Sequence, residues 1–169
     1  DDIPYFPMTR MEYFINNENE IEFLINEYNK SLPLVIDPTI SYATYLGGSA
    51  ADEALDIVVD DTGSAYITGV TSSSDFPTEN PYQGFDPSAG QMVFVTKLSP
   101  TGDSAIYSTY FSAQVGNGIA VDNTGSAYIV GEVDNSVLPT LNPYQTDQPG
   151  RDAFLTKLSP SGNSLVYST

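Results

Sequence analysis

Ile57-Val-Val-Asp60-Asp-Thr-Gly63-Ser-Ala-Tyr66-Ile-Thr-Gly69 returns 62 residues later as Ile119-Ala-Val-Asp122-Asn-Thr-Gly125-Ser-Ala-Tyr128-Ile-Val-Gly131. The same offset carries Pro77-Thr78 onto Pro139-Thr140 and Asn80-Pro-Tyr-Gln83 onto Asn142-Pro-Tyr-Gln145. Across 56–83, 17 of 28 positions are identical to their partners, which is a repeat and not chance. From Phe94 the offset is 60: Phe94-Val-Thr-Lys-Leu-Ser-Pro100 returns as Phe154-Leu-Thr-Lys-Leu-Ser-Pro160, and Tyr107-Ser-Thr109 as Tyr167-Ser-Thr169. Tyr42-Ala-Thr44-Tyr45 matches Tyr107-Ser-Thr109-Tyr110, so a partial copy precedes the first whole one.

Each unit reads as four short strands: Leu55–Asp60, Ala65–Thr71, Val93–Leu98 and Ala105–Tyr110, then Gly118–Asp122, Ala127–Val133, Ala153–Leu158 and Leu165–Thr169. Asp60-Asp-Thr-Gly63 has Asp and Gly at the ends of a four-residue turn. There the carboxylate accepts backbone N–H groups and Gly tolerates a left-handed bend. Ser99-Pro-Thr-Gly102 makes the next turn, with Pro setting its φ. A long loop holding Asn-Pro-Tyr-Gln joins the second strand to the third. Phe94 and Leu98 alternate with Val93 and Val95, so the third strand is apolar on both faces, as in a sheet covered on both sides. Small Ala65 and Gly69 leave room for a close neighbour. Four-stranded units stacked face to face around an axis satisfy both facts. The fold expected is all-β: an incomplete β-propeller of about two blades, 55–110 and 117–169, within a repeat region 39–169. Strand 41–46 is left as the outer edge of a preceding blade, with the hairpin below as its nearest cover. Two blades cannot close a ring. The isolated chain is therefore expected to oligomerise, aggregate or order only in part, and the rest of the ring to come from remaining blades of a parent chain.

Residues 1–38 do not repeat. Met11–Ile15 and Glu20–Asn26, flanking Asn16–Asn19, predict a hairpin, and Leu34–Asp37 a further strand, as the end of a preceding β domain. The chain begins at Asp1 without Met, so an upstream segment is expected to have been removed or omitted.

Composition removes several functions. Twenty-two acidic residues face five basic ones, for a net charge of -17. Phosphate-reading partners and anionic membranes are repelled, so neither nucleic acid nor membrane insertion is expected. With no Cys and no His, disulfides, Ser-His-Asp triads and His-based metal sites are excluded within the chain. No apolar run approaches the ~18 residues that a spanning helix needs.

The repeats resemble the SBBP family of bacterial β-propeller repeats. The residues that carry the resemblance are Tyr42-Ala-Thr-Tyr-Leu-Gly-Gly48, Ile57-Val-Val-Asp60, Gly63-Ser-Ala-Tyr-Ile-Thr-Gly69, Asp75-Phe-Pro-Thr78 and Phe94-Val-Thr-Lys-Leu98. The second copy departs at Tyr110-Phe-Ser-Ala, where Leu-Gly-Gly is expected and three residues are missing. Pro33-Leu-Val-Ile-Asp-Pro38 resembles the end of the domain that commonly precedes such repeats. The resemblance implies an extracellular or cell-surface scaffold and no catalytic residues.

The acids and two loop tyrosines are the candidates for chemistry. Asp60, Asp61 and Asp122 offer carboxylates to calcium, although as turn residues they have a simpler role, and position 12 of an EF-hand counted from Asp60 is Thr71. Asp52, Glu53 and Asp56 would supply the carboxylate pair of a polysaccharide-degrading enzyme. The second copy has Gln114, Gly116 and Gly118 in this region, so the cluster is private to the first. Tyr82 and Tyr144 would stack on a glycan or protein partner, or else pack their loops onto the blades. Lys97 and Lys157 are expected to lay their stems across a neighbouring strand. The reading favoured is a non-catalytic scaffold or binding module.

Overall fold

Strands alternate with Asp/Gly turns throughout the computed structural model, which describes residues 11–15, 21–25, 40–134, 138–145 and 150–169. There is no helix among the described residues. The chain divides into two compact units, Asp1–Thr39 and Ile40–Thr169. In the first, β1 (Met11–Ile15) pairs antiparallel with β2 (Ile21–Ile25), Met11 opposite Ile25. The Asn16–Asn19 turn and the strand at Leu34–Asp37 lie outside the described residues.

The second unit holds two four-stranded antiparallel sheets, each laid out in chain order. Sheet one is β3 (Asp52–Val59), β4 (Ala65–Thr71), β5 (Met92–Leu98) and β6 (Ala105–Phe111). Sheet two is β7 (Val115–Val121), β8 (Ala127–Asp134), β9 (Arg151–Leu158) and β10 (Leu165–Ser168). The turns close as their residues demand: Gly63 N–H donates to the Asp60 carbonyl and Gly125 N–H to that of Asp122, each at 2.9 Å. Both glycines have positive φ (87° and 82°). Where three residues are missing from the second copy, Ser112–Gln114 alone link β6 to β7.

Strand β3 starts three residues before the predicted Leu55, because a bulge between Ala54 and Asp56 lets the pairing continue to Asp52 opposite Thr71. The close neighbour of Gly69 is this bulge, not another blade. The Glu53 carbonyl and Ala54 Cα occupy the space a Cβ would take, as the Val115 carbonyl does at Gly131.

Strand β5 is buried on both faces, as predicted. Val93 and Val95 belong to one buried cluster with Ile119, Ile129, Phe154 and Leu158 of sheet two and with Tyr66, Tyr107 and Phe111. Met92 and Phe94 pack on the other side with Phe76 and Tyr110, joined by half-buried Leu46, Ile67 and Phe85. Each such side chain, fully buried, stabilises the fold by about 1.5–3 kcal/mol.

Residues 40–48 form no strand, contrary to the expectation for 41–46. A strand needs a partner for its N–H and C=O groups, and no ladder joins this segment to β3, which pairs only with β4. Its side chains nevertheless lie as those of an outer strand do. The Tyr42 ring sits against Gly102 within the space a Cβ would need, as the Tyr107 ring of β6 sits against Gly162.

Candidate functional site

The turn carboxylates are occupied by their own turns. Asp60 Oδ1 accepts from Thr62 N–H (3.0 Å), the Thr62 hydroxyl (2.6 Å) and Ser64 N–H (3.0 Å). Its Oδ2 takes the Tyr66 hydroxyl (3.0 Å) and lies 3.4 Å from Lys97 Nζ. Asp122 repeats the pattern with Thr124 and Ser126 on Oδ1, and with Tyr128 (3.1 Å) and Lys157 Nζ (2.9 Å) on Oδ2. Desolvation works against the charged form of Asp60, yet the Thr62, Ser64 and Tyr66 hydrogen bonds outweigh it and hold the carboxyl well below the usual range. The Thr124 hydroxyl and Lys157 do the same for Asp122. Hydrogen bonding to Tyr128 and Asp122 raises the Lys157 ammonium.

Calcium needs six to eight oxygen ligands. Here the lone pairs already accept N–H and O–H donors, and a lysine ammonium stands where a cation would, so the donor set does not fit the ion. Asp61 projects from the turn tip, exposed, into a cleft of about 470 Å³ between the two turns that Lys97, Asn123 and Thr124 also line. Among the described residues no three carboxylates are grouped to hold a metal.

The other three acids share β3 and face different tasks. Asp52 is a loop clamp: its carboxylate accepts Gly48 N–H (2.7 Å), the Thr71 hydroxyl (2.5 Å) and the Ser73 hydroxyl (2.9 Å). Asp56 Oδ2 accepts Ile119 N–H of β7 at 2.8 Å and so ties the two sheets together. Glu53 is exposed, at the register position opposite Val70. With Asp52 and Asp56 both engaged, no free pair converges on one place, as glycoside hydrolysis requires.

The two loop tyrosines differ. Tyr82 lies 6.3 Å from Phe111, which lies 5.7 Å from Phe154, so three rings run from the first loop into the contact between the sheets. Tyr144 is 94% exposed. It stands at the rim of a cleft of about 490 Å³ that Val133, Leu138, Pro143, Phe154 and Thr169 also line. On sheet one the Tyr110 ring meets Phe76 and Phe85. Its hydroxyl accepts from Phe76 N–H (2.9 Å) and donates to the Ser73 carbonyl (2.7 Å).

Several working residues have only a faint sequence signal. Asp75 fixes the Gly47–Ser49 loop by accepting both Ser49 N–H (2.8 Å) and its hydroxyl (2.9 Å), and these bonds lower its carboxyl. Gln83 spans to Ser112 through both ends of its amide. Asn80 and Asn142 both have positive φ (45° and 48°), a conformation Asn tolerates better than most residues, and that is why the loop motif repeats Asn. Lys97 and Lys157 lie over the Tyr66 and Tyr128 rings at 4.6 and 4.7 Å.

The β-propeller repeat family, SBBP, matches residues 41–77. No curated protein matches the chain. The two unclosed four-stranded sheets are therefore blades of an incomplete β-propeller.

Proposed function

We propose, from the premise that residues 41–77 are a β-propeller repeat of the SBBP family, that the chain is part of a non-catalytic scaffold on the outside of a bacterial cell or secreted from it. Its loops present a surface to a glycan or a protein partner. The observation that carries this reading is the pair of unclosed four-stranded sheets beside the repeat match, in which Asp52, Asp56, Asp60 and Asp122 are all taken up by hydrogen bonds within the fold. Loop aromatics such as Tyr82 and Tyr144 stack on sugars or enter a partner's pocket, because they add contact area at little cost in conformational entropy. The engaged carboxylates support a non-catalytic role, and the acidic surface disfavours anionic partners. Binding to a glycan array and capture of surface proteins, each compared between the wild type and Tyr144→Ala, tests the reading. A neutral glycan or a protein retained by the wild type and lost by the variant is the expected result. Retention by both, or turnover of a polysaccharide, contradicts it.

A further inference from the structure

Asn117-Gly118 is the one Asn-Gly step in the sequence, and it lies where β7 passes closest to sheet one. A Cβ on Gly116 would meet Thr68 Oγ1 at 2.6 Å and Val93 Cγ1 at 2.8 Å, and one on Gly118 would lie 3.6 Å from Asp56 Oδ2. Ile119 N–H donates to that same Oδ2 at 2.8 Å. Between the two glycines the register with β8 shifts, so that Gly116 faces Gly131 and Gly118 faces Val130. Asn117 is therefore the extra residue of a bulge, and it is exposed.

What glycine lacks sets the chemistry of this pair. The side-chain carbonyl carbon of an Asn is within one ring closure of the next residue's nitrogen, and a Cβ on that next residue crowds the closure. Gly118 has none. A ladder residue is held extended by its pairing, whereas the extra residue of a bulge is left unpaired and its strand bends there. Asn117 thus combines an unhindered neighbour, a place outside the register and access to water. Asn123 and Asn163 are exposed on turns, but Thr124 and Ser164 follow them. The first repeat lacks the pair, since its own bulge, between Ala54 and Asp56, holds Leu55.

We propose that Asn117 is a site of spontaneous deamidation, a covalent modification that loosens the tie between the two sheets. The Gly118 nitrogen gives up its proton and attacks Asn117 Cγ. The new N–Cγ bond closes a succinimide, the bond from Cγ to the side-chain nitrogen breaks, and ammonia leaves. Water then opens the ring at either carbonyl. One opening gives aspartate. The other gives isoaspartate, with the main chain rerouted through the former side chain. Water enters and ammonia leaves, with no change of oxidation state. Both products add a negative charge to a chain already at -17. Isoaspartate also inserts a methylene into β7 two residues before Ile119, so the strand no longer presents the Ile119 N–H to Asp56 Oδ2.

The test is incubation of the folded 169-residue chain in mildly alkaline buffer. Deamidation is localised by fragmentation in a mass spectrometer, and isoaspartate is read by enzymatic methylation. Asn117 should react at least about tenfold faster than Asn123 and Asn163 in the same sample. Gly118→Ala should slow the reaction about tenfold. Its Cβ would come 3.1 Å from Val130 Cγ2, the end of a side chain that can turn aside. Should that variant lose the wild-type melting profile, the comparison with Asn123 and Asn163 needs no variant. In the isoaspartyl fraction the Ile119 amide hydrogen should exchange about tenfold faster than in the untreated protein, as befits a lost hydrogen bond to a charged group. No product at Asn117, equal rates at the three asparagines, or a folded Gly118→Ala protein that reacts as fast as the wild type overturns the site. An unchanged Ile119 exchange rate overturns the loosening.

Discussion

Tyr107→Phe is expected to stabilise the protein, against the usual direction of a change at a fully buried aromatic. The ring is well placed. It meets Tyr66 edge to face at 6.4 Å, covers Gly162 and is 0% exposed. Its hydroxyl, however, has no hydrogen-bond partner among the described residues, and burial raises its pKa far above the ordinary tyrosine value. A buried donor left unpaired costs about 1–3 kcal/mol. Phe keeps the ring and removes the hydroxyl, so a gain of about 1 kcal/mol or more is expected, against a cavity of only one oxygen. For a chain of this size that corresponds to a rise of roughly 2–4 °C in Tm for each kcal/mol. Urea titration at unchanged m-value, alongside a thermal melt, measures it. Tyr66→Phe is the control. Its hydroxyl donates to Asp60 Oδ2 at 3.0 Å, and its loss should destabilise by about 1 kcal/mol. A Tyr107→Phe protein less stable than the wild type by 0.5 kcal/mol or more, on the order of the smallest net value of one hydrogen bond, would refute the reasoning.

Acid is expected to weaken the fold through the turn carboxylates. Asp60 and Asp122 have folded-state values held below that of an unfolded Asp, near 3.9. Their contribution is therefore present above about pH 4 and is lost as the pH falls below it, when the unfolded chain takes up protons that the folded one refuses. Urea midpoints measured down through the acid range should fall below about pH 4, and more shallowly in Asp60→Asn and Asp122→Asn. Tyr82→Ala should cost about 1 kcal/mol or more by breaking the row of rings to Phe154, while exposed Tyr144→Ala should stay within about 0.5 kcal/mol of the wild type.

Where the sequence states a local rule twice, its reading holds. The Asp-x-Thr-Gly turns, the two-faced apolar pattern of β5 and the hairpin strands at 11–15 and 21–25 are all found in the structure. What is not legible depends on what a residue touches across space. Asp52 and Asp56 look alike in sequence, yet one clamps a loop and the other reaches an amide of β7, because a bulge between Ala54 and Asp56 re-aims the strand. Tyr82 and Tyr144 sit in identical motifs. Tyr82 is covered because Phe111 of β6 arrives beside it, a contact that the motif itself does not announce. The segment 41–46 has the composition of a strand without being one, since strand formation needs a partner that composition does not supply.

The central claim is that two repeats stack as consecutive propeller blades through a contact that recurs along the chain. The most direct test is the proton NMR spectrum of Gly102 and Gly162. With the Tyr42 and Tyr107 rings filling the space beside them, the α-protons of both glycines should be moved strongly upfield and show nuclear Overhauser contacts to those rings, Gly162 to Tyr107 and Gly102 to Tyr42. Gly162 α-protons at ordinary shifts, without contact to Tyr107, would contradict the stacking of the sheets.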